Sequence, residues 1–98
     1  MMRGRMRLQQ GYADVELLGH AQSAVVCAGI STLCCAVMSA IEEHIEEGAV
    51  YQPGTVRFRA CVNAVSFEAL RVLAIGLQAL KEQFPEDVDV TTEGEWRL

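Results

Sequence analysis

The chain has 98 residues, 51% of them hydrophobic, and a formal net charge of −5. That length is one domain, residues 1–98, with enough apolar side chains for a packed core and too many for a disordered chain. The acid excess argues against direct nucleic-acid binding, and no apolar run reaches the roughly eighteen residues of a membrane span, so neither partner is expected.

The opening MMRGRMRLQQ carries Arg3, Arg5 and Arg7 without an apolar core behind them, which is not a signal peptide. Residues 5–10 alternate Met6 and Leu8 with Arg5 and Arg7 and read as a short strand. Gly11 marks a turn. The next segment, YADVELLGH, alternates Ala13, Val15 and Leu17 with Asp14 and Glu16, the period of a half-buried strand, so a hairpin is predicted. From Ala24 the apolar spacing changes to threes and fours, at 27, 30, 34, 37, 38, 41 and 45. The spacing predicts a helix over 24–47, with Ser23 as its cap and Gly48 as its stop. Pro53-Gly54 is a turn signal between a short strand at 49–51 and a clearer one in which Val56, Phe58 and Ala60 alternate with Arg57 and Arg59. A second helix is predicted over 66–84, with Leu70, Leu73, Leu77, Leu80 and Phe84 on one face, capped by Asn63 or Ser66 and ended by Pro85. DVDV is the last candidate strand, and the polar tail to Leu98 reads as frayed.

The predicted order is therefore β-β-α-β-β-α-β. It implies an α/β (α+β) fold: an antiparallel or mixed sheet of four to five strands with both helices on one face. The first helix is apolar over more of its circumference than one sheet covers, which points to a homodimer. The four cysteines, Cys27, Cys34, Cys35 and Cys61, form no C-x-x-C pair and no zinc spacing with histidines. They read as reduced thiols of a cytoplasmic protein. Cys34, Cys35 and Cys61 read as packing residues, and His44, among glutamates, as a surface residue.

The segment GHAQSAVVCAGIS holds the chemistry. His20 closes a strand and Cys27 falls in the first turn of a helix, where the dipole and a nearby imidazole both favour a thiolate. The helix start also offers backbone N–H groups to an oxyanion. Ser31, four residues on, shares the face of Cys27 and is placed to bond the reacting group. By spacing alone a buried packing cysteine stands ahead of a nucleophile, and His20 after Gly19 equally reads as a turn residue.

LLGHA followed by VVCAGIS resembles the paired motifs of the ribosomal-processing cysteine protease family, Prp: a G-H-A that ends a strand, then V-C-A-A-V-S opening a helix. LRVLAIGLQALKEQFPEDVDV is similar to the family's second helix and last strand, so the resemblance spans about residues 12–90. It implies a dimeric α/β endopeptidase with His20 and Cys27 as catalytic residues and Gly19 and Ser31 as auxiliary ones. The implied substrate is a peptide segment of a large-subunit ribosomal protein, whose N-terminal extension is removed without metal or organic cofactor. Phage-borne relatives act on capsid or scaffold proteins instead. A non-catalytic binding or assembly module of the same fold is the alternative. Three features depart from the family pattern. The connecting stretch AQSAVV is shorter than the family's glycine-containing loop, Ala24 stands where an acid is usual, and Gly29 replaces an alanine.

Overall fold

The computed structural model describes residues 1–98. Strands β1 (Met2–Gln9) and β2 (Tyr12–Leu18) form a hairpin turned by Gln10 and Gly11, whose φ values of 48° and 84° suit the twist of the strands they join. Helix α1 (Ala24–Ala40) follows, then a short 3-10 turn (Glu42–His44), β3 (Val50–Gln52), β4 (Thr55–Cys61), α2 (Ala64–Gln83) and β5 (Val88–Glu93). The strands lie in the order β3-β4-β2-β1-β5, with β1 and β5 parallel and every other pair antiparallel. The sheet is thus mixed and five-stranded, in the element order that the sequence predicts. No helix is long and apolar enough to cross a membrane.

Alternation decides which face is covered. Met6 pairs with Val15, Val15 with Phe58, and Gly4 with Leu17, so the apolar positions of neighbouring strands fall on one face. There they meet Val26, Ile30, Cys34 and Val37 of α1 and Leu70, Leu73, Ala74 and Leu77 of α2 in one core. The opposite face is open and polar, with Arg59 2.8 Å from Asp14 and Arg7 2.8 Å from Glu93.

Several boundaries differ from the sequence reading. Helix α1 ends at Ala40, not near residue 47. Ile41 leaves helical geometry at φ −117° and ψ 22° with its side chain fully buried, and Ile45 forms a bridge to Ala60 of β4 instead of a further turn. Gly48 therefore stops no helix. β1 begins at Met2 rather than residue 5. Helix α2 begins at Ala64, because Asn63 caps it, and Phe84 lies beyond its end, exposed rather than on the packed face.

The tail is not frayed. Trp96 is 2% exposed and stacks on Phe67, with ring centroids 6.2 Å apart. Its Nε1 donates to the Glu93 carbonyl at 2.9 Å and to the Met6 carbonyl at 3.3 Å. Cys35 and Cys61 are exposed rather than packed, and His44 is half-buried, so of the three cysteines read as packing residues only Cys34 is buried. Burial, and secondly the neighbouring Cys35, push the Cys34 thiol up to about 11.

Candidate active site

The site forms where β2 hands the chain to α1. After Leu18, Gly19 takes φ +89° and donates its N–H to the Gly54 carbonyl at 2.9 Å. A Cβ on Gly19 would stand 2.7 Å from the Met1 carbonyl oxygen, so both its conformation and its closeness to β1 require glycine. The turn places His20 in solvent with its ring over the turn between β3 and β4. A Cβ on Gly54, itself at φ +80°, would stand 2.8 Å from His20 Nε2. The Pro53-Gly54 turn is therefore the floor on which the imidazole rests.

The connector into α1 is pinned from the far side of the sheet. The amides of Gln22 and Ser23 donate to the Asp87 carboxylate at 2.5 and 3.0 Å. These two bonds, Gln22 first, hold the Asp87 carboxyl below the usual carboxylate range. Asp87 lies in the turn before β5, not in a strand. Ser23 is the cap, as predicted, accepting from the Val26 amide at 3.4 Å. Two functions meet in this short stretch: Asp87 takes the amides that precede the helix, and the first-turn amides of Ala24 and Val25 are left without helical partners.

Cys27 is half-buried in the first turns of α1. Its N–H makes a helical bond to the Ser23 carbonyl at 3.0 Å, and its Sγ donates to the Ala21 carbonyl at 3.2 Å. In this state the thiol proton is held by backbone rather than by imidazole. Ser31 follows on the same face, but its contact runs through its carbonyl, which accepts from the Tyr51 hydroxyl at 2.9 Å. His20, Cys27 and Ser31 open on one cleft of about 320 Å³, walled also by Tyr51, Pro53 and Gly54. The tertiary structure thus brings together all the site residues that the sequence points to, Gly19 included.

Tyr51, Gly54 and Asp87 escape sequence reasoning as site residues. The Pro53-Gly54 turn is legible as a turn, but its place beneath His20 depends on the pairing of β4 with β2. Nothing local marks Tyr51 or Asp87. No group of three or more His, Cys, Asp or Glu side chains is arranged to hold a metal ion.

A mixed α/β fold in which a helix-start thiol and an imidazole share a cleft is the equipment of a thiol-dependent hydrolase. The model of the family described as cysteine protease Prp matches residues 1–89, and the chain belongs to that family of cysteine proteases. Among solved structures it resembles the ribosomal processing protease Prp of S. aureus with a covalently linked product peptide. That pair has 21% identity and a TM-score of 0.71, over 94% of this chain and 99% of that one. The same S. aureus protein with a substrate peptide gives 20% identity and a TM-score of 0.70 over the same shares. SMU.848 of Streptococcus mutans gives 24% and 0.66, over 95% of this chain and 92% of that one. No curated protein sequence matches significantly.

Proposed function

We propose that this chain is the endopeptidase that removes the N-terminal extension of a large-subunit ribosomal protein, with Cys27 as nucleophile and His20 as its base. The observation that carries the reading is the shared cleft: a helix-start thiol and an imidazole backed by Gly54 face the same space. The S. aureus relative, described as a ribosomal processing protease with bound peptides, supports a peptide substrate.

The reaction begins when the thiol exchanges its bond to the Ala21 carbonyl for one to His20. His20 takes the proton, and Sγ attacks the scissile carbonyl carbon. First-turn amides of α1 meet the oxyanion. Collapse breaks the C–N bond, and the imidazolium protonates the leaving amine. Water activated by His20 then hydrolyses the thioester, which releases the new carboxyl group and restores the thiol. Gly19 sets the position of His20, and Ser31 holds the cleft wall through Tyr51. The enzyme acts in the cytoplasm, and as a homodimer; the exposed apolar side chains of Val25, Val65, Val72 and Ile75 on the helical layer support the second point.

The test is cleavage of a peptide spanning the extension and its junction. Cys27→Ser and His20→Ala are each expected to lower kcat/KM by roughly a thousandfold or more, and the wild type to form a thioester visible by mass spectrometry. Undiminished cleavage by Cys27→Ser would remove Cys27 from the mechanism. Peptide binding without cleavage by the wild type would make the chain a binding module.

A further inference from the structure

The cleft does not end at Tyr51. A second hollow, about 450 Å³, lies between the C-terminal half of α1 and β3, lined by Cys35, Met38, Ser39, Glu42, Ile45 and Tyr51. Tyr51 is a wall of both spaces, and its hydroxyl bond to the Ser31 carbonyl marks the line between them. The two spaces also share one face of α1. Cys27, Ser31, Cys35 and Ser39 recur every fourth residue, the spacing that keeps side chains on one side of a helix. Across the groove from that face, β3 is an edge strand that pairs only with β4, so its outer edge is open to an extended chain.

We propose that this second hollow is a substrate subsite: it takes an apolar side chain of the peptide four or five residues from the scissile bond, followed by a basic residue. The inference rests on the reading of the Cys27 cleft as a peptide site. The distance sets the position. Along α1, Cys35 lies about 12 Å and Ser39 about 18 Å beyond Cys27 at 1.5 Å per residue, and an extended peptide covers that span in four or five residues at about 3.3 Å each. The apolar preference follows from Met38, Ile45 and the tyrosine ring. The basic preference follows from charge: Glu42 lines the hollow, and Glu43, next in the chain, is exposed. Neither Glu42 nor Glu43 forms an ion pair, whereas Glu46 and Glu47 face the arginines of the open sheet face. The rim therefore presents uncompensated negative charge to a lysine or arginine.

Two methionines allow a test that does not depend on turnover. Met2 lines the Cys27 cleft and Met38 lines the second hollow. Cys27→Ser protein labelled with 13C at the methionine methyls would be titrated with the extension peptide carrying about six residues on each side of the junction. It would then be titrated with the same peptide cut to three residues on one side or the other. The full peptide is expected to shift both methyl signals. One of the two cuts is expected to abolish the Met38 shift and leave the Met2 shift. A full peptide that moves Met2 and never Met38 overturns the subsite while the cleft stands. A peptide that moves neither overturns the subsite and the peptide cleft together. In the active enzyme, Cys35→Trp is expected to lower the ratio of kcat/KM for the full peptide over the short one at least tenfold, and an unchanged ratio overturns the subsite.

Discussion

At Gly54 an added methyl group would meet an imidazole, which gives one residue an outsized effect on the site. Gly54→Ala places a Cβ 2.8 Å from His20 Nε2 at a backbone φ of +80°. The left-handed conformation alone costs a non-glycine residue about 1 kcal/mol. The displaced ring is expected to lower kcat at least tenfold with a smaller change in KM, as steady-state kinetics on the extension peptide would show. Asp87 acts on the other end of the connector. Its carboxyl is held low by the Gln22 and Ser23 amides, so its contribution to stability is fully present above the unfolded carboxyl value, near about 4, and is lost as pH falls through the lower folded value. The melting temperature of the wild type is therefore expected to exceed that of Asp87→Asn by a constant margin at neutral pH. That margin should shrink on acidification below about pH 4, as thermal unfolding across pH would reveal. The places of His20 and Cys27 beside an element boundary were legible from the local pattern, while their reading as a site came from the family resemblance, since spacing alone favours a packing cysteine. Gly54 and Asp87 were not legible, because each acts through a contact with a segment distant in the chain.

At the scale of elements, α2 owes its start to a reciprocal cap. Asn63 accepts from the Ser66 amide at 3.0 Å, and Ser66 Oγ accepts from the Asn63 amide at 2.9 Å while donating to the Cys61 carbonyl at 2.9 Å. Ser66 is fully buried, so Ser66→Ala removes the side-chain partner of both the Asn63 amide and the Cys61 carbonyl and breaks the cap. A loss of about 1–2 kcal/mol is expected, read as a fall in melting temperature of about 4–8 °C per kcal/mol by calorimetry. The same element shows why periodicity served well here and poorly in α1. Leu70, Leu73 and Leu77 face one core throughout. In α1 the three-and-four spacing continues past Ala40 through Ile41 and Ile45, but Ile45 belongs to the sheet, where it meets Ala60. Apolar spacing records burial, not the partner that buries it.

For the molecule as a whole, the helical layer is covered by the sheet on one side only. On the other side lie Val72 and Ile75 of α2, 52% and 43% exposed, beside a shallow groove formed by Ala28, Gly29, Thr32, Ala36 and Gly76. Covering by a second copy, as proposed, predicts that the wild type sediments as a dimer and Ile75→Glu as a monomer; a monomeric wild type would overturn the dimer, and a dimeric variant would move its interface elsewhere. Trp96 makes a related point at the chain's far end. A lone aromatic in a polar tail has no period to place it, yet it closes the core between Phe67 and the Met6 carbonyl. By itself the sequence determined the order of strands and helices, the face each buries, and the helix start where the thiol sits, because these follow from side-chain period and capping over neighbouring residues. Only the tertiary structure decided that β5 runs parallel beside β1, that Asp87 pins the connector, that Gly54 lies under the imidazole and that Tyr51 divides the groove. Those contacts join segments far apart in the chain, and their geometry exists only once the sheet has chosen its strand order.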